Sequence, residues 1–291
     1  MMWWCLAAAI ALLLASSVGA HAADDVSARA WEIGPYRVTL AHVAGGLMPS
    51  DRLRIWRGDR VVYATQDRSL AVSPNHLFVR AGGDAPVRVG ADLLGLGLPV
   101  LAIERFSGGA HCCFAVTLVV LGRTARVIPT IDGADSGVMF VRWPGERALV
   151  AHVWDPIFAY YRIYFAASRP PEVTLRFDPR AMRYVPAPDL MRRPAPSALA
   201  KAVAAARAGW PDDPQWVSPP LLHLVGDPIY TGHLRLAHEV TRRAWRSDRG
   251  DPEAFWHDLT KCQLRRSAYW PAVATLNGLP ALKPALSCRA N

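Results

Sequence analysis

Leu53-Arg54-Ile55-Trp56-Arg57-Gly58-Asp59-Arg60-Val61-Val62-Tyr63-Ala64-Thr65 is the stretch from which the fold can be read. Two runs rich in β-branched and aromatic residues flank a Gly-Asp pair, which is the pattern of two antiparallel strands joined by a tight turn. Upstream, Tyr36–Val43 alternates loosely with period two, so one face of it is expected to be buried. Downstream, short strands are expected at 76–80, 99–105, 113–121, 125–131, 138–143, 148–153, 159–166 and 172–177. Asp178-Pro179-Arg180 then turns the chain into a last run, Met182–Val185. Turns carrying Gly, Pro or Asp at close spacing belong to sandwiches, barrels and propeller blades.

The regime changes at Pro186, Pro188, Pro194 and Pro196, which bracket Met191-Arg192-Arg193. Beyond them the pattern is helical. Ser197 is placed to cap an Ala-rich helix running to about Ala208. Pro219–Tyr230 is a second helix, ended or kinked by Pro228. Gly232–Trp245 is a third, with Leu234, Ala237, Val240, Thr241 and Ala244 on one face. Asp251-Pro252-Glu253 combines a capping acid, proline at the first position and an acid in the first turn, and starts a fourth helix to about Arg266. A short last helix ends at Asn277-Gly278. The expected fold class is therefore α+β. An N-terminal antiparallel β-rich domain (23–187) is a sandwich or compact barrel, partly propeller-like. A Pro-rich linker (188–196) leads to a smaller C-terminal helical domain (197–291). The β half is too short for a full propeller at about 40–50 residues per blade.

Residues 1–22 have the form of a signal peptide: an apolar core and a small-x-small site, Ala20-His21-Ala22, although no Lys or Arg precedes the core. The expected location is periplasmic or secreted. No later stretch is apolar enough to span a bilayer, so no transmembrane segment is expected after cleavage. The net charge is +9, and lysine occurs only at 201, 261 and 283, so arginine supplies most of the positive charge. Codon usage accounts for that richness without a function. The functional reading is an anionic envelope component as partner. No Lys/Arg block exceeds two residues, and a nucleic-acid partner is not expected.

The most unusual segment is Phe106-Ser107-Gly108-Gly109-Ala110-His111-Cys112-Cys113-Phe114. Loss of the leader removes Cys5 and leaves Cys112, Cys113, Cys262 and Cys288, an even number that points to disulfides in an oxidising compartment. Three pairings exist. Two of them cross-link the halves of the chain, and the third joins Cys112 to Cys113 and Cys262 to Cys288. Consecutive Cα atoms lie about 3.8 Å apart, short of the roughly 4.4–6.8 Å of ordinary disulfides. A vicinal bond therefore needs a strained ring, with Gly108-Gly109 supplying permissive backbone. Cross-links are relaxed, and free thiols are the remaining alternative. No Gly-x-Ser-x-Gly, His-Glu-x-x-His or phosphate-binding loop occurs. No cofactor is expected. The tryptophans of the helical half (Trp210, Trp216, Trp245, Trp256 and Trp270) are expected in its core rather than on a carbohydrate platform.

The run from Ala91-Asp92 through Gly95 and Gly97 to Ser107-Gly108-Gly109-Ala110-His111-Cys112-Cys113 resembles a group of uncharacterised exported bacterial proteins. In that group a loop like the calcium loops of FG-GAP, integrin-type repeats leads into a strand and a Ser-Gly-Gly-Ala-His-Cys-Cys motif. Trp154–Tyr160, Ile229–Ala237, Ser267–Trp270 and Leu276-Asn277 are similar to the group as well. The resemblance implies export, a β-rich portion and no known activity. Calcium needs roughly six to eight oxygens. Only Asp92 remains of the loop's acids, with Leu94, Leu96 and Val100 where donors would stand. The turn is expected to be kept and the metal lost. Asp132-Gly133-Ala134-Asp135-Ser136 is expected to be a self-bonding acidic turn.

The resemblance also implies a Cys112–Cys113 bond, because the pair stands in the group without an obligate distant partner. Cys262–Cys288 is then the second bond. The expected function is an exported, non-catalytic binding or structural protein built around a disulfide-rigidified turn. Its ligand surface is Phe106, His111, Cys112, Cys113 and Phe114, and its partner is a carbohydrate or the anionic component above. The alternative is a thiol-dependent enzyme using His111 and Cys112. His111, Cys112 and Cys113 in a row cannot easily reach one metal ion.

Overall fold

A computed structural model describes residues 25–44, 48–73, 88–109, 114–284 and 288. The fold is mixed α+β, with three antiparallel sheets followed by helices. The first sheet runs β1 (Asp25–Ile33), β2 (Tyr36–Val43), β3 (Ser50–Arg57) and β4 (Arg60–Asp67) in chain order. The second runs β5 (Ser69–Ser73), β6 (Val100–Phe106), β7 (Phe114–Leu121) and β8 (Ala125–Val127), and β9 (Ile131–Ala134) also pairs with β7. The third runs β10 (Met139–Val141), β11 (Val150–Trp154), β12 (Glu172–Asp178) and β13 (Arg183–Pro186). The first and third are up-and-down meanders, the connectivity of a propeller blade, whereas in the second β8 and β9 both pair with β7. None closes on itself, so the compact barrel is not the architecture adopted.

The opening hairpin is β3–β4. Gly58 turns with φ +56°, and Val62 is the extra residue where the register shifts between Ile55 and Trp56. The chain falls into two compact units, divided between Leu70 and Ala71. In the first, Tyr36, Val38, Leu53 and Ile55 are fully buried on one face of the sheet. In the second, one apolar cluster joins Val100, Leu118 and Val120 of the second sheet, Val153, Val173 and Phe177 of the third, and Leu221, Val225, Ile229, Val240, Phe255 and Val273 of the helices. The expected linker at 188–196 marks where strands give way to helices, but packing continues through it. Pro188–Met191 forms a short helix, α1, and Met191 is buried in the shared core.

The later helices are α2 (Leu199–Ala208), α3 (Pro219–Tyr230), α4 (Leu234–Ala244), α5 (Pro252–Asp258) and α6 (Trp270–Leu276). Ser197 does not cap α2, whose cap position is Ala198. Asp251 caps α5 as expected, its Oδ1 accepting from the Glu253 N–H at 2.9 Å. The expected run to Arg266 continues as a π-turn over Leu259–Gln263 and a 3-10 turn over Leu264–Arg266.

One expected strand is absent. Residues 159–166 alternate in burial (Tyr161 and Ile163 buried, Tyr160, Arg162 and Tyr164 exposed), which imitates a strand. The segment instead follows a 3-10 turn, Pro156–Phe158, capped by Asp155, and Tyr160 and Arg162 hold φ of 59° and 52°. Left-handed backbone at two of three residues is incompatible with a ladder. The expected strand at 76–80 and the residue Cys113 lie outside the described residues.

Candidate functional site

β6 and β7 pair without slippage from Val100↔Val120 to Phe106↔Phe114, so the two phenylalanines are the last rung before the loop that carries the Gly-Gly-Ala-His-Cys-Cys motif. Directly opposed residues of an antiparallel pair share a face. The rings stack, with centroids 4.6 Å apart and planes 26° from parallel. Phe106 is half-buried, while Phe114 is 41% exposed. Gly108 turns the chain out of β6 with φ +89°. His111, Cys112 and Cys113 lie outside the described residues, as does the expected vicinal bond between the two cysteines. Of the predicted surface, the structure thus brings Phe106 and Phe114 together.

β9 flanks this rung, with Phe114↔Ala134 and Ala115↔Asp132 in register. The acidic turn behind it bonds to itself. Asp132 Oδ1 accepts from the Ala134 N–H at 2.9 Å, and the Gly133 carbonyl accepts from the Ser136 and Gly137 amides at 3.1 and 2.8 Å. A Cβ on Gly133 would sit 2.5 Å from the Gly137 carbonyl carbon, so the turn closes only around glycine. Asp132 and Ser136 are exposed and Asp135 half-buried. Asp132 stands opposite Ala115, on the face of the sheet away from the Phe106–Phe114 rung.

The calcium-like loop is held by its own carboxylate. Asp92 Oδ1 accepts from the Leu96 N–H at 3.0 Å and Oδ2 from the Gly97 N–H at 2.7 Å. Leu94 and Val100 are buried in the main core, and Leu96 packs against it. The side chains that replace oxygen donors thus anchor the turn from inside, and the remaining acid anchors it from above. Gly95 and Gly97 have φ of 65° and 70°. Among the described residues no cluster of His, Cys, Asp or Glu is arranged to hold a metal ion.

Three of the segments that carry the resemblance converge on a buried carboxylate. Asp155 follows β11, and its Oδ2 accepts from the Tyr230 hydroxyl of α3 at 2.6 Å and from the Ser267 hydroxyl ahead of α6. Its Oδ1 accepts from the Ile157 N–H at 3.1 Å. Burial pushes the Asp155 carboxyl above its usual 3.8, opposed by the hydrogen bonds from Ser267, Tyr230 and Ile157. Tyr230 is pushed well up by burial and by the Asp155 charge. Tyr269, whose N–H donates to the Ser267 hydroxyl oxygen, is pushed up to about 12 by burial and the charges of Asp155 and Asp132. Asn277 completes the convergence: its Oδ1 accepts from the Leu234 N–H, and its Nδ2 donates to the Ile229 and Val273 carbonyls. Both carboxylate oxygens of Asp155 are hydrogen-bonded inside the protein, which is the arrangement of a clamp holding sheet to helices.

A second polar group occupies the opposite face of the third sheet. His152, buried on β11, meets Glu172 of β12 at 2.7 Å, and Glu172 is also held by Arg193. Burial pushes the Glu172 carboxyl up, but His152 and Arg193 outweigh it and hold the group below its usual range. Arg176 joins Glu146 and Asp189 beside it. Sequence reasoning missed both networks, since their partners are far apart in the chain.

Cys262 and Cys288 are bonded, with Cα atoms 5.4 Å apart. Neither is left to pair with Cys112 or Cys113, which removes both cross-linked pairings. Comparison with protein-family models, curated sequences and solved structures finds no match to this chain.

Proposed function

We propose that the chain is an exported, periplasmic or secreted binding protein without catalysis, and that its ligand surface is the end of the β6–β7 hairpin. The supporting observation is the stacked Phe106–Phe114 rung, with Phe114 open to solvent. A Cys112–Cys113 bond would rigidify the turn that this rung closes, so that ordering it costs little on binding. A flat apolar ring open to solvent matches the C–H face of a sugar, which stacks on it. The ligand class is therefore carbohydrate. The leader over 1–22 and the Cys262–Cys288 bond are consistent with an oxidising compartment.

A glycan array probed with the full chain and with Phe114→Ala tests this reading. The parent chain is expected to retain at least one glycan, and the variant to lose about tenfold in affinity, from one lost ring stack plus its buried area, at an unchanged unfolding midpoint. Absence of any glycan binding, or equal binding by the variant, defeats the carbohydrate surface. Alkylation of the unreduced chain checks its scaffold, because reactive thiols at Cys112 and Cys113 would exclude the ring.

A further inference from the structure

The first sheet carries a second surface, independent of the hairpin. Its buried face holds Tyr36, Val38, Leu53 and Ile55. On the other face the register sets Arg37 opposite Trp56, Thr39 opposite Arg54 and Ala41 opposite Arg52. Arg52 and Arg54 are two residues apart on one strand, so their Cα atoms are separated by about 6.6–6.8 Å. Arg37 is diagonal to Arg54, at about 7–8 Å. Three guanidinium groups thus rise from one small area.

Their own neighbours do not neutralise them. Arg37 lies over the Trp56 ring, 5.4 Å from its centroid, and Arg52 donates to the Gln66 amide oxygen at 3.1 Å. Glu32 stands opposite Arg37 in the β1–β2 register, yet none of the three arginines makes an ion pair among the described residues. Elsewhere Arg162, Arg176, Arg193 and Arg246 each meet a carboxylate. The three line a groove of about 190 Å³ together with Thr39 and Trp56. That is smaller than the roughly 300–1,000 Å³ of pockets that engulf a small molecule, and it suits a headgroup. At Trp56 an independent observation points the same way. The Nε1 atom is buried and has no acceptor among the described residues, and an indole N–H can only donate. Guanidinium groups without a carboxylate partner, beside an indole N–H without an acceptor, are complementary to an anion rich in oxygen.

We propose that this face of β1–β4 binds a ligand carrying two neighbouring phosphate groups, gripped by Arg37, Arg52 and Arg54, with the Trp56 indole N–H donating to one phosphate oxygen. Planar guanidinium forks match phosphate oxygens in pairs.

Tripolyphosphate is the soluble probe. It is titrated into the full chain while the indole N–H resonance of Trp56, assigned by its loss in Trp56→Phe, is followed by NMR. The resonance is expected to shift with saturation, and binding to weaken with added salt. The double variant Arg52→Gln/Arg54→Gln is expected to lose about tenfold or more in affinity. Arg126→Gln/Arg180→Gln removes the same charge at exposed sites elsewhere and is expected to bind like the parent. Vesicles of cardiolipin, whose headgroup carries two phosphates, with phosphatidylcholine as the neutral control, separate the sources. Salt-sensitive binding to the former that tripolyphosphate displaces assigns a lipid headgroup, and tripolyphosphate binding without it assigns a soluble phosphate compound. An unmoved Trp56 resonance, or equal losses in the two double variants, overturns the proposal.

Discussion

Asp155 shows how much one residue can depend on partners far away in the chain. Its donors come from residues 75 and 112 positions later. Nothing local marks the aspartate beyond its role at the start of a 3-10 turn, and only the resemblance drew attention to the three segments. The clamp also has a definite pH signature. Burial raises the folded carboxyl above 3.8, so the folded chain holds this proton more tightly than the unfolded chain does. Stability is then greatest below the unfolded value and is lost as pH rises through the raised folded value. Asp155→Asn cannot ionise and lacks that slope. The stability of the parent relative to this variant, from urea denaturation at pH values from about 4 to about 7, is expected to decline steadily as pH rises. A difference that stays level across the series would mean that Asp155 has its ordinary acidity in the folded chain.

At the scale of elements, the loop after Ala91 makes the sharpest test. Gly95 and Gly97 are both left-handed, but their surroundings differ. A Cβ at Gly95 would meet the Arg147 main-chain carbon at 2.8 Å, whereas a Cβ at Gly97 would meet nothing within 4 Å. Gly97→Ala is expected to cost only the left-handed strain, about 1–2 kcal/mol. Gly95→Ala adds a clash with backbone that cannot step aside, about 1–3 kcal/mol more. Denaturant midpoints of the two variants give the comparison, and equal losses would show that the loop does not pack on Arg147. The survival of this turn was legible, because glycines and an acid at fixed spacing report local geometry. So was the β3–β4 hairpin, where Gly58-Asp59 separates two strand-forming runs. β1 is not legible as a strand of its own: Asp25–Ala30 has little strand preference, and its pairing with β2 supplies what its residues lack. The failure at 159–166 has the converse cause. Burial does alternate there, but no partner strand is present to make a ladder, and alternation by itself cannot reveal that. The Phe106–Phe114 rung was legible as two aromatic residues flanking a motif, whereas the pairing of β9 beside it was not, because no short pattern announces that pairing.

For the whole molecule, the change of composition around Pro186–Pro196 predicts a domain boundary. Composition reports a change of secondary structure, however, and not where packing stops. The core of the second unit crosses that point without a break. Leu221, Val225 and Ile229 of α3 lie in the same apolar cluster as Val173 and Phe177 of β12. Two further bonds tie the parts: Tyr161 to Asp258 at 2.9 Å, and the Gln263 side-chain amide to the Ile157 carbonyl. The Cys262–Cys288 bond, spanning 26 residues, is by contrast a staple within the helical segment, and closing a loop of that length stabilises by about 3–3.5 kcal/mol. It does nothing to hold helices to sheet; burial and the Asp155 clamp do that. A chain ended after Ala187 would keep the thirteen strands of the described residues but expose one side of the shared core. It would also leave Asp155 without the Tyr230 and Ser267 hydroxyls. Uncovering the apolar face of the third sheet removes stabilisation at about 25 cal/mol per Å², which soon exceeds the roughly 5–15 kcal/mol that holds an ordinary domain folded. The truncated chain is therefore expected to bind a hydrophobic dye and to lack a cooperative thermal transition for its second and third sheets. The full chain is expected to unfold residues 88–284 in one step, followed by hydrogen exchange along the sequence. Protection of β11 and β12 in the truncated chain equal to that in the full chain would show that the strands fold without the helices, and would restore the division at the proline-rich segment.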